Sequence, residues 1–315
     1  MSSSSIIKTA IKSGFRSALK TAWWMIRLTV AISLGVMLLQ YFGVIDVAAG
    51  WLAPLFVHFG LSGEGALVFI TGALVNHYAA IAIIQTIGFD ARSITILALM
   101  CLCAHNLIIE TTIQRKTGSS VVQMLLIRLS LAIVSALILN AVLPPTPPNL
   151  VVAASHSAQA DFLTTLTHWA IGTARLMLMM FAIIVGLTIL QRVLADLGVI
   201  RKLSNALRPL MRFLGLPPKT SFLWIVSQTL GLAYGAAVML EEKEQGKVSK
   251  KELDLLNHHV AVSHSNIEDV MLYFAIGASL LWMLGLRIVF AIALVWGRRF
   301  IDKITFRNKM NVIIH

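Results

Sequence analysis

The chain has 315 residues; 57% are hydrophobic, 13% are charged and the mean hydropathy is +0.82. A soluble domain carries roughly 25% charged and about 45–50% apolar residues, so this composition excludes an ordinary soluble enzyme, a disordered tail and a collagen-like fibre, and the two cysteines exclude a disulfide framework. The net charge of +12 lies beside apolar runs, where it sets topology, and forms no soluble basic face, which excludes nucleic-acid binding.

Several runs approach or pass the roughly 18 apolar residues that span a bilayer, which predicts an all-α polytopic membrane protein. Residues 1–20 form a basic arm with Lys8, Lys12, Arg16 and Lys20. The apolar run Trp23–Tyr41 follows. It is longer than the roughly 7–15 residues of a signal-peptide core, so it reads as a retained helix. A half-polar stretch covers Val44–Leu61, and the next block is Ala66–Gly88. Ile94–Ile109 is apolar with polar residues at its end, and Val121–Leu143 closes the first half. Pro144-Pro145-Thr146-Pro147-Pro148 cannot continue a helix, so 144–168 is a linker. The blocks then recur: Trp169–Leu190, the basic stretch Arg192–Lys219, Ser221–Leu240, Leu253–Leu272 and Ala278–Trp296, with a basic tail over 298–315.

Lys and Arg set the sides. Both ends are basic and are predicted to be cytoplasmic; the linker has no Lys or Arg and is predicted outside, as is Asp46–Glu64. Arg92, Arg115-Lys116 and Arg192–Lys219 go inside, and the mixed loop Glu241–Asp254 goes outside. Ile94–Ile109 therefore starts and ends on one side, and so does Leu253–Leu272. Each half has about three crossings plus one re-entrant or broken segment.

The halves, 21–143 and 169–297, also match in sequence. Gly118-Ser119-Ser120-x-x-x-Met124-Leu125-x-x-Arg128 aligns with Gly277-Ala278-Ser279-x-x-x-Met283-Leu284-x-x-Arg287 at an offset of 159, as do Ala104-His105 with Ser263-His264 and Glu110 with Asp269. Pro54-Leu55 and Gly60-Leu61 match Pro209-Leu210 and Gly215-Leu216 at 155, and Gly35 and Leu39-Gln40 match Gly186 and Leu190-Gln191 at 151. Halves of opposite orientation make an inverted repeat, the architecture of secondary transporters with a midplane site on broken helices.

A His-bearing, acid-bearing broken segment, Ala104-His105-Asn106-Leu107-Ile108-Ile109-Glu110-Thr111, followed by Gly118-Ser119-Ser120 and an Arg-bearing helix, resembles the nucleoside recognition (Gate) domain family. That family includes spore maturation proteins A and B, and similar domains occur in concentrative nucleoside transporters and bacterial ferrous-iron permeases. The resemblance covers about Thr21–Trp296 and implies two fused Gate units with a transport-type fold and a homodimer. The chain departs from the iron permeases in having no Gly-x4-Gly-Lys-[Ser/Thr] motif.

The binding candidates are His105, Asn106, Glu110 and Thr111 on one broken segment and His264, Asn266, Glu268 and Asp269 on the other. Ionisable groups at membrane depth are costly and mark function; the bland alternative is that they satisfy backbone at helix breaks. Asn76, His77, Tyr78 and Gln85 form a polar band, matched by Ser227, Gln228, Thr229 and Tyr234; such groups bond neighbouring helices or line a cavity. Arg128 and Arg287 counter the acids, bind an anionic group, or snorkel to the interface. Cys101-x-Cys103-x-His105 admits a metal set of Cys101, His105 and His264, against which Val260 and Val262 replace the cysteines in the second half. No His-Glu-x-x-His or Gly-x-Ser-x-Gly pattern occurs, so no catalytic residue is assigned and the chain is not read as an enzyme. The sequence predicts a lipid-embedded secondary transporter of the bacterial inner membrane for a small polar solute, coupled to H+ or Na+ and needing no cofactor. A divalent-metal permease and a non-transporting scaffold are the alternatives.

Overall fold

The computed structural model describes residues 3–145 and 161–314, and every regular element among them is helical. The first half runs α1 (Ser3–Tyr41), α2 (Val44–Phe56), α3 (Glu64–Leu74), α4 (His77–Ile87), α5 (Ala91–Ala104), α6 (Leu107–Thr117) and α7 (Val121–Val142). The second runs α8 (Phe162–Asp196), α9 (Val199–Ala206), α10 (Arg208–Phe213), α11 (Ser221–Thr229), α12 (Gly231–Glu244), α13 (Lys250–Val260), α14 (Glu268–Ala275) and α15 (Leu280–Ile314). Among the described residues, five stretches are long and apolar enough to cross a membrane: Ile7–Tyr41, Ala91–Thr117, Val121–Val142, Phe162–Asp196 and Leu280–Thr305. The pair Val44–Phe59 and Glu64–Leu74, bent by 87°, is a broken span or a re-entrant loop. The protein is thus an all-α polytopic membrane protein.

Two expected spans are broken. Ala66–Gly88 divides into α3 and α4, because Asn76 adopts extended backbone and its side-chain oxygen accepts the Ala79 N–H at 2.9 Å. An N-cap inside an apolar run restarts the helix. Ser221–Leu240 divides into α11 and α12 at Gly231, whose φ of +84° suits glycine. The linker's stretch 146–160 lies outside the described residues, and α8 already begins at Phe162, upstream of the expected Trp169.

The chain forms two compact units, each drawn from both halves. The first holds Met1–Leu107, Leu129–Leu197 and Ile267–Leu284. Its long helices α1 and α8 run antiparallel: Gly14 lies against Ile189, Trp169 donates its indole N–H to Ser33 at 2.9 Å, and the Tyr41 and Phe162 rings meet edge-on at 5.2 Å. A Cβ on Gly14 would stand 3.3 Å from the Ile189 backbone, so the pair packs at close range. α5 lies at the centre of its helices, every residue from Ile94 to Ala104 being buried.

The second unit holds Ile108–Arg128, Gly198–Asn266 and Gly285–His315. Leu223, Met239, Leu253, Leu256, Val260 and Val295 form part of its apolar core. Beside that core, fully buried Asn257 of α13 donates to the Ser119 and Thr117 hydroxyls at 2.9 Å each and to the Gln114 carbonyl at 3.3 Å. Ser119 in turn donates to Asp254 at 2.6 Å. The network ties the α6–α7 turn to α13. At the start of α13, Ser249 and Glu252 form a capping box, and Lys219 reaches Glu252 at 2.9 Å. Burial raises the Glu252 pKa, but the Ser249 N–H and hydroxyl and the Lys219 ammonium outweigh it and hold the carboxyl below its ordinary value.

Candidate functional site

Two helix breaks build the site. α5 ends on His105 in extended backbone, and Asn106 then turns left-handed at φ 49° before α6 starts. α13 ends near Val260, and Ser265 takes the same left-handed form at φ 47°. These are the non-glycine residues with positive φ among the described residues. The Asn106 N–H donates to the Gly72 carbonyl at 3.0 Å, and the Ser265 N–H to the Ser227 carbonyl at 3.1 Å. Inside each break the histidine Nδ1 faces a carbonyl one turn back: His105 to Cys101 at 2.9 Å, His264 to Val260 at 2.6 Å. A carbonyl only accepts, so each Nδ1 carries a proton and each Nε2 is left to face the site. These features recur at the offsets of 155 and 159 that the sequence match shows.

In the first unit the partner is Asp269, in the first turn of α14. Its carboxylate lies 3.4 Å from His77 Nε2 and 3.7 Å from His105 Nε2. All three side chains are buried, the two imidazole rings standing edge-on at 5.0 Å. His77 opens α4 directly after the Asn76 cap. Next to it, Tyr78 donates to half-buried Glu268 at 2.8 Å, so α4 and α14 are joined start to start. Ring centroids of His77 and Tyr273 are 6.5 Å apart.

In the second unit the partner is Glu110, in the first turn of α6. One oxygen lies 2.7 Å from the Arg128 guanidinium and the other 3.3 Å from His264 Nε2. Arg128 is fully buried, so it does not snorkel. Arg287, also fully buried, donates to the carbonyls of Val262 and His264 at 2.6 Å each and satisfies backbone that the break leaves open. Gln228 donates to the Ser263 carbonyl at 2.5 Å and accepts from Asn266 at 2.7 Å. Both residues therefore hold the second break.

Each carboxylate thus meets the histidine of the opposite half. The sequence candidates His105, Glu110, His264 and Asp269 occupy the two clusters. Glu268, Tyr78, Asn76, Gln228, Asn266, Arg128 and Arg287 support them, and Asn106 shapes a turn. Thr111 is buried one residue beyond Glu110. Gln85 and Tyr234 are exposed and lie on helices α4 and α12 without joining either cluster. Cys101 places its sulfur 4.0 Å from the Val68 carbonyl and supplies no donor to the imidazole–carboxylate group of the first unit. The omission is His77. The sequence placed it only in the polar band of a continuous span and not among the binding candidates; the Asn-His pair inside an apolar run was the available signal for a cap and an inward-facing ring.

Across 291 residues the chain is 32% identical to the uncharacterized membrane protein YvoD of Bacillus subtilis (strain 168), which covers 91% of this chain and 93% of that one. No family model matches, and no solved structure does either.

Proposed function

This chain belongs to the family of the membrane protein YvoD, and we propose that it is a secondary transporter that moves a small polar solute or ion across the bacterial inner membrane. The observation that carries the reading is the burial of His105, Asp269, His264, Glu110 and Arg128 at two helix breaks in a membrane-spanning chain. A charge in hydrocarbon costs several kcal/mol or more, and breaks are tolerated where they line a path. Structural filler would need neither. The matched breaks support two Gate-like repeats in opposite orientation, exchanging roles between an inward-open and an outward-open state. Both termini are then cytoplasmic, a reading that the Lys and Arg distribution supports. The driving ion is H+ or Na+: carboxylates and unwound carbonyls take either.

The test is flux in proteoliposomes, with nucleosides, nucleobases, amino acids and divalent metals as radiolabelled solutes and an imposed pH or Na+ gradient. Wild type is expected to accumulate one class under one gradient, and Glu110→Gln to lose at least about tenfold of that rate, the order a positioned charge contributes to ligand handling. If no solute moves under either gradient, the scaffold reading replaces this one.

A further inference from the structure

The first unit carries a donor set that transport of a neutral solute does not require. His77, His105 and Asp269 come from the start of α4, the end of α5 and the start of α14, and they converge. Their ligand atoms all lie within 4.8 Å of one another, with the carboxylate 3.4 and 3.7 Å from the two Nε2 atoms. We propose that these three side chains bind one divalent transition-metal ion.

Geometry supports it. At metal–ligand distances of about 2.0–2.1 Å, tetrahedral donors stand about 3.3–3.4 Å apart; the His77–Asp269 pair already stands at 3.4 Å and the His105–Asp269 pair at 3.7 Å, and the two imidazoles must draw together to complete the site. The His105 ring is already oriented, because Nδ1 donates to the Cys101 carbonyl at 2.9 Å and Nε2 is turned toward Asp269. A ring held through its far nitrogen is the usual support of a metal-bound imidazole. The Tyr78–Glu268 hydrogen bond, between the sequence neighbours of His77 and Asp269, keeps the donors together.

Charge makes the same point. A carboxylate and two imidazoles, with 4%, 7% and 3% exposure, face one another away from water. A proton on His77 Nε2 joins that ring to Asp269 alone, whereas a divalent ion takes all three donors.

The second unit shows the contrast. At the offset of 155 that relates Gly72 to Ser227, Leu232 stands where His77 stands, and Glu110 has the Arg128 guanidinium at 2.7 Å. That cluster has a built-in cation where the first has a second imidazole. Two imidazoles and a carboxylate suit zinc, iron, cobalt or manganese better than magnesium or calcium, which favour all-oxygen shells. Three protein ligands leave positions for water, so the ion can exchange.

The inference deepens the transport reading by naming a cargo or coupling ion, and it is tested without flux. Full-length protein in detergent is titrated with Co2+, following visible d–d absorption and metal content after gel filtration, with Zn2+ as competitor. Wild type is expected to bind one Co2+ per chain, displaced by Zn2+. His77→Gln and Asp269→Asn should weaken binding at least about tenfold, whereas His259→Gln, at a buried histidine beside Trp224, should not. His77→Cys guards against misfolding: it should keep the ion and add a sulfur-to-cobalt charge-transfer band. Absence of stoichiometric Co2+ in the wild type, undiminished binding in His77→Gln, or no new band in His77→Cys overturns the site. Lost binding with solute flux intact removes the metal alone; intact binding with no flux removes transport alone.

Discussion

Asn106 and Ser265 each hold a backbone conformation that side chains resist by about 1–2 kcal/mol. Asn tolerates it best among residues with a Cβ, and each turn is fixed by an N–H to a carbonyl of another helix. Asn106→Gly should therefore leave thermal stability within about 1 kcal/mol, because relieved strain offsets added chain entropy. Asn106→Val should cost about 1–2 kcal/mol more than the glycine variant, read from unfolding midpoints in detergent. At this scale the sequence was informative about which side chains gather at the helix breaks. Polar side chains in apolar runs flagged His105, Glu110, His264 and Asp269. It could not give their partners: His105 meets Asp269, 164 positions away, and His264 meets Glu110, 154 away. Nothing in local spacing encodes such pairings. The place of His77 beside Asp269 and His105 was hidden for a related reason, since its inward aim depends on the Asn76 cap.

Among the elements, α13 depends on polar contacts both at its start and in its middle. Asn257→Leu would remove the side-chain hydrogen bonds to Thr117, Ser119 and Gln114, each of which keeps another partner, at about 0.5–1.5 kcal/mol per bond lost. A matching drop in the denaturation midpoint is expected. At the same helix's start, the Glu252 pKa is lower folded than unfolded. Its contribution is therefore present above the ordinary carboxylate pKa and is lost as pH falls through the lowered folded value. Glu252→Gln should lower the melting temperature at pH 7 and make it less dependent on pH between about 5 and 3; an unchanged acid limb would contradict this. Helix type and the long spans were legible from hydropathy alone. The breaks inside Ala66–Gly88 and Ser221–Leu240 were not, because a single Asn or Gly in an apolar run is compatible with a continuous helix.

For the whole molecule, the halves seen in sequence and the units seen in space divide the chain differently. The polytopic class followed from composition, because only a membrane accommodates so much apolar surface. Unit membership did not, since the chain leaves the first unit at Ile108, returns at Leu129, leaves again at Gly198 and returns at Ile267. That threading constrains biosynthesis. The first unit lacks Asp269, and so the acid its two imidazoles face, until most of the chain has been made. The second needs α15 before Val295 can close its core. Both units therefore stay incomplete until the chain has passed Ile267. A ribosome that stops before Ile267 releases two incomplete cores rather than one finished domain, and a quality-control protease has a long interval in which to recognise them.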